Sequence, residues 1–161
     1  MSGSNTHLLI SCMDRRHQKN DALLRALFAI GALKKAPYQI SMAGGAGILA
    51  SIEDPSHRES LLKQIDVAVS VLGVEGIILT LHGAGSEDSR GCGGYRVAGL
   101  PDLPQELLAE ELRKAEAVLH AVGITIPVRM FIITFAQDGT NLLKEVFLDP
   151  TSSPQEAILA A

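Results

Sequence analysis

The feature that most constrains this chain is the run Gly76-Ile77-Ile78-Leu79-Thr80-Leu81, nearly all apolar and delivered directly into His82. A short apolar run with no polar alternation predicts a strand buried on both faces. On its N-terminal side, Leu61, Leu62, Ile65, Ala68, Val69 and Leu72 fall on one face of a helix that starts near Arg58 and ends at Gly73. On its C-terminal side, after a long glycine-rich and polar loop from Gly83 to Pro104, a second amphipathic helix is predicted over Gln105 to Val122. Its inward positions are Leu107, Leu108, Leu112, Ala115, Val118 and Leu119.

The rest of the chain repeats this alternation. His7 to Met13 reads as a buried strand, followed from Asn20 to about Lys34 by helical spacing of Leu23, Leu24, Leu27, Phe28 and Ile30. Pro37 breaks that helix. Tyr38 to Met42 then predicts a strand running into Ala43-Gly44-Gly45-Ala46-Gly47. Pro127 to Ala136 is a further strand, Gln137-Asp138-Gly139 a turn, and Leu142 to Leu148 a short last strand, with a weakly specified tail after Pro150. Strands alternating with helices require right-handed crossovers, hence an α/β fold with a mostly parallel central sheet flanked by helices. At 161 residues the chain suits one domain, residues 1–161.

Composition excludes several classes of function. With 47% hydrophobic and 20% charged residues the chain is expected to fold, and a net charge of −4 without a basic run argues against nucleic acid as partner. The polar start Met1 to Thr6 lacks a secretory signal, and the longest apolar stretches, such as Val128 to Ala136, are too short to cross a bilayer. The expected location is therefore the cytoplasm, with no membrane partner. In that reducing compartment the two cysteines, Cys12 and Cys92, are metal ligands, a redox couple or unbridged thiols rather than a structural disulfide.

Ligands of an open parallel sheet gather at the C-terminal ends of its strands, where both Cys12 and His82 fall. Cys12-Met13-Asp14-Arg15-Arg16 reads Cys-x-Asp-x-Arg. A thiolate is a good ligand for zinc. In an extended segment Asp14 and Arg16 point the same way as Cys12, so Arg16 can hold the Asp14 carboxylate through a bidentate pair. The plainer roles for these groups are a core thiol, a strand-end histidine, a loop thiol and a surface ion pair. The Ala43 to Gly47 run lacks the GxGxxG spacing of a dinucleotide site.

Taken in order, these parts resemble the β-class carbonic anhydrases. In that family a Cys-x-Asp-x-Arg strand end is followed by a helix, Leu-Gly-Val, an apolar strand ending in a zinc-binding His, and Cys-Gly-Gly. Here they are Cys12 to Arg16, Leu72-Gly73-Val74, Gly76 to His82 and Cys92-Gly93-Gly94. The resemblance implies a sheet with an antiparallel C-terminal edge strand and a zinc ion on Cys12, His82 and Cys92 with an open fourth position. It also implies a lyase that reversibly hydrates carbon dioxide to bicarbonate through zinc-bound hydroxide. Asp14, held by Arg16, would orient that hydroxide, or would fill the fourth position when its arginine pairing is broken. A homodimer or higher homo-oligomer is implied as well.

The chain departs from the family pattern in several places. Nine residues, Gly83 to Gly91, separate His82 from Cys92 where the family has two, and they carry Glu87, Asp88 and Arg90. An acid there could take the open position. Tyr38 sits where the family has an aromatic pocket residue, and Val67 replaces another aromatic. Eleven residues before Cys12 leave no room for the family's N-terminal arm and its pocket glutamine. Competing functions are therefore hydrolysis of carbonyl sulfide or carbon disulfide at the same zinc, a zinc-containing binding or regulatory protein, and a metal-free Cys12–Cys92 redox pair.

Overall fold

The structure is a computed structural model and describes residues 6–14, 21–83, 91–135, 141–148 and 156–159. Its strands are β1 (His7–Cys12), β2 (Tyr38–Met42), β3 (Gly76–His82), β4 (Val128–Phe135), β5 (Asn141–Val146) and β6 (Glu156–Leu159). Its helices are α1 (Ala22–Ala29), α2 (Pro55–Ser70), α3 (Gly93–Val97) and α4 (Gln105–Ala121), with a 3-10 turn over Gly45–Leu49. The strands form one sheet in the order β2-β1-β3-β4-β5-β6. The first three pairings are parallel and the last two antiparallel. The α/β architecture is thus the one expected from the alternation of apolar runs and helical spacing. The antiparallel C-terminal part extends one strand further, because Glu156–Leu159 pairs outside β5.

Side chains alternate along each strand, so the sheet feeds two cores. Leu8, Ile10, Cys12, Ile77, Leu79 and Met130 pack with Leu49, Leu61, Ile65, Leu112 and Leu119 from the 3-10 turn, α2 and α4. On the other side Leu9, Ile78, Phe131 and Ile133 pack with Leu23, Ala26 and Leu27 of α1. All seven residues of β3 are buried, as its unbroken apolar run requires. Each such leucine or isoleucine contributes about 1.5–3 kcal/mol by leaving water.

Local signals explain where the boundaries differ from the spacing argument. Helix α2 begins at Pro55, not near Arg58, because Asp54 caps it by accepting from the His57 backbone N–H at 3.0 Å and Pro55 needs no partner at the first position. Within the Gly83 to Pro104 loop the chain makes the short helix α3. Phe28, Leu72 and Leu107, read as parts of the apolar helix faces, are 41%, 43% and 41% exposed; they lie in the last turn of α1, just past α2 and in the first turn of α4. Tyr38 is paired with Leu8, while Met42 is paired with Cys12. Tyr38 therefore stands about 13 Å along the strand from the level of Cys12.

Candidate metal centre

Three residues converge at the C-terminal edge of the sheet. Cys12 ends β1 and His82 ends β3, adjacent parallel strands whose register pairs Ile10 with Leu79. Cys92 stands immediately before α3. The ligand atoms of Cys12, His82 and Cys92 all lie within 4.8 Å of one another, and all three residues are buried. The two sulfurs are 3.6 Å apart and hydrogen-bonded. They are not a disulfide, whose sulfurs are about 2.05 Å apart.

The donor set suits a metal. Two zinc–sulfur bonds of about 2.3 Å at a tetrahedral angle hold their sulfurs about 3.8 Å apart, close to the 3.6 Å found. Two thiolates and one imidazole are a zinc-type set with one coordination place to spare. The His82 Nδ1 lies 3.4 Å from the Gly83 carbonyl oxygen. With Nδ1–H donating there, Nε2 carries the lone pair, and such a second bond is how metal-binding histidines are commonly oriented. Asp14, half-buried, places Oδ2 3.7 Å from His82 Nε2. A redox pair would use the same sulfurs, but it leaves the presence of His82 and Asp14 beside them without a role.

Proton sharing dominates the electrostatics of the sulfur pair. The hydrogen bond from Cys12 draws Cys92 well below the ordinary thiol value against the opposing effect of burial, and His82 adds to the fall. The same hydrogen bond, burial and the Cys92 charge push Cys12 up, offset in part by backbone hydrogen bonds from Gly44 and Asp14. A cation at the centre would replace that shared proton.

Backbone contacts through glycine bring the two sulfurs together. A Cβ on Gly45, whose φ is +51°, would come within 2.8 Å of the Cys12 backbone nitrogen. A Cβ on Gly94 would come within 2.3 Å of the Gly44 nitrogen. The Ala43 to Gly47 run, which carries no dinucleotide spacing, is therefore the surface on which β1 and α3 meet. Arg58 fixes the far end of this run by donating to the carbonyls of Ile48 and Ala50 at 2.9 and 2.7 Å.

Of the predicted site residues, the structure brings together Cys12, His82, Cys92 and Asp14. Arg16, Glu87, Asp88 and Arg90 lie outside the described residues, as does His17. Spacing did not disclose a second buried polar cluster beside the first. Glu111 is 3% exposed, and its carboxylate accepts from the Tyr95 hydroxyl at 2.7 Å, from the Ser51 backbone N–H at 3.1 Å, from the Ser51 hydroxyl and from Lys114 at 2.9 Å. A signal for it exists: Glu111 falls in the inward stripe of Leu108, Leu112 and Ala115, where an acid is out of place unless it is paired. A cavity of about 700 Å3 lies along α2 between Glu53 and Asp66 and shares no residue with either cluster. Among the described residues no helix is long and apolar enough to cross a membrane.

No family model and no curated protein matches the chain. Solved structures similar to it include a carbonic anhydrase from Glaciozyma antarctica, at 16% identity over 83% of this chain and 77% of that one, with a TM-score of 0.47. Tetrameric β-carbonic anhydrases from Sordaria macrospora are 16% identical over 92% of this chain and 81% of theirs, with a TM-score of 0.41. The β-carbonic anhydrase CafA of Aspergillus fumigatus is 17% identical over 91% of this chain and 76% of its own, with a TM-score of 0.45. The resemblance read from Cys12 to Arg16, Gly76 to His82 and Cys92 to Gly94 names the same group of proteins.

Proposed function

We propose that the chain binds one zinc ion through Cys12, His82 and Cys92 and catalyses the reversible hydration of carbon dioxide. The observation that carries this reading is the buried convergence of two sulfurs and one imidazole within 4.8 Å, drawn from three separate segments. Zinc held by such a set lowers the pKa of a water in the remaining position to about 7 and so supplies hydroxide at neutral pH.

The chain's own residues do the rest. Two thiolates would neutralise a divalent cation, so the ion with its three protein ligands carries no net charge. The Gly83 carbonyl holds the His82 ring in one tautomer. The Asp14 carboxylate, beside His82, accepts a hydrogen bond from the nucleophile and orients its lone pair toward carbon dioxide. Arg16 is assigned to hold that carboxylate through paired hydrogen bonds. Edge strand β2 offers its open side to a second copy, which fits a homo-oligomer, and thiols without a disulfide fit a cytoplasmic setting.

One distance favours a second reading. At a tetrahedral angle, bonds of about 2.0 Å to nitrogen and oxygen hold those atoms about 3.3 Å apart; His82 Nε2 and Asp14 Oδ2 are 3.7 Å apart, so a shift of about 0.4 Å in the Asp14 carboxylate would let it serve as a ligand. Asp14 would then close the fourth position, leaving a zinc-containing binding or regulatory protein. Stopped-flow hydration of carbon dioxide by zinc-loaded protein, with carbonyl sulfide and carbon disulfide assayed alongside, separates these. Hydration that is lost on chelation and restored by zinc supports the lyase. Turnover of a sulfur substrate alone moves the reaction to that class. A fully zinc-loaded protein inactive on all three contradicts catalysis and leaves the closed site.

A further inference from the structure

We infer that Tyr95 and Glu111 are positioning residues for this metal centre: the bond from the Tyr95 hydroxyl to the Glu111 carboxylate sets where Cys92 stands relative to Cys12. The inference rests on the zinc reading above.

The argument starts from the weakness of α3. It has five residues, two of them glycine, too few to hold helical shape without tertiary contacts. Yet it begins at Cys92, and a metal centre tolerates ligand displacements of only about 0.2 Å. Something outside α3 must fix it. Tyr95, one turn after Cys92, is 2% exposed, and its hydroxyl donates to Glu111 Oε2 at 2.7 Å. Its ring lies so close on Gly47 that a Cβ there would meet the ring and hydroxyl atoms at 2.3 to 2.6 Å.

The same carboxylate also holds the other side. Ser51, just past the 3-10 turn, gives Glu111 both its backbone N–H and its hydroxyl. That turn begins at Gly45, packed on the backbone of Cys12. One buried carboxylate on α4 therefore ties together the helix that starts at Cys92 and the turn that abuts Cys12. Between the two ties, Gly94 and Gly44 meet backbone to backbone. A shift of α3 on its bed is a change in sulfur–sulfur distance.

The plain alternative is that Glu111 is only a satisfied core acid. Glu145 supplies the control: it is 7% exposed and bound by Arg129 at 2.7 and 2.8 Å, on β5, two strands from β3 and three from β1. The experiment measures zinc affinity by competition with a chromophoric chelator, and the absorption spectrum after cobalt substitution. It uses the full chain unmodified and as Tyr95→Phe, Glu111→Gln and Glu145→Gln, each checked for folding by circular dichroism. Tyr95→Phe and Glu111→Gln are expected to weaken zinc about 10- to 100-fold and to shift the thiolate-to-cobalt band. Glu145→Gln is expected to lower the melting temperature and change neither. Unaltered affinity and spectrum in folded Tyr95→Phe, which lacks one oxygen and keeps the ring, would overturn the inference, as would an equal loss in Glu145→Gln. Absence of zinc binding by the unmodified chain would instead overturn the metal reading itself.

Discussion

Two buried polar clusters lie side by side in this protein and are built on opposite principles. Around Glu111 every bond joins a donor to an acceptor: a hydroxyl from Tyr95, an N–H and a hydroxyl from Ser51 and an ammonium from Lys114 converge on one carboxylate. At the end of the sheet Cys12, His82 and Cys92 bring three atoms of one kind together, each an electron-pair donor once deprotonated. The first cluster is complete in itself, and the cost of burying its charge is offset inside the fold. The second shares a proton between its two sulfurs and leaves all three atoms able to hold a metal ion. Complementary buried groups make architecture, whereas like ones mark a place for a cation.

The comparison can be broken most sharply where the two clusters touch. Gly94→Ala puts a Cβ 2.3 to 2.7 Å from backbone atoms of Gly44 and Ala43, which cannot rotate aside. A loss of about 3 kcal/mol is expected in urea denaturation, together with loss of zinc uptake. At neighbouring Gly93 nothing stands within 4 Å of the added carbon, so Gly93→Ala should do neither.

Removing the Glu111 carboxylate comes next. Glu111→Ala strands the Tyr95 hydroxyl and the Ser51 N–H and should cost about 2–3 kcal/mol. The acid also leaves a signature in pH. Burial raises the Glu111 pKa, but the hydrogen bonds from Ser51, Lys114 and Tyr95 outweigh it and hold the carboxyl below its usual 4.5. A folded value below the unfolded one adds stability above about 4.5, and that stability is lost as pH falls through the folded value. In acid titrations of stability, Glu111→Gln should therefore show a shallower fall below the usual carboxyl value than the unmodified chain.

The two smaller effects sharpen the comparison. Glu145→Gln gives up a paired carboxylate on β5 and should cost about 1–2 kcal/mol by thermal melting, without effect on metal uptake. Asp14→Asn should change stability least, by about 0.5 kcal/mol, since Asp14 is only half-buried. Its zinc affinity then decides between the two readings of the fourth position. A loss of zinc affinity well beyond the roughly 10- to 100-fold of an outer-shell change means that Asp14 occupies it, and a loss within that range or none means that water does.

Much of the fold was legible because burial on both faces writes itself as unbroken apolar runs. Gly76 to Leu81 could be little other than a central strand, and strand ends then placed Cys12 and His82 together. The capping pair Asp54-Pro55 was also present in the sequence, but hydrophobic spacing alone starts that helix one turn late. Helix α3 left no such trace: Gly93 and Gly94 lower its propensity, and it is helical because Tyr95 and Gly94 are held by tertiary contacts. Strand β6 is four residues long and exists by pairing with β5. The bond from Tyr95 to Glu111 joins residues 16 apart on different helices, which no local pattern encodes.

The central claim is that Cys12, His82 and Cys92 together hold a metal ion, and its most direct test is the metal content of protein purified without chelator from cells supplied with zinc. The account predicts about one zinc per chain, lost in Cys12→Ser, in Cys92→Ser and in His82→Ala. A chain that emerges folded and without metal, or that keeps its zinc when these side chains are replaced, would contradict it.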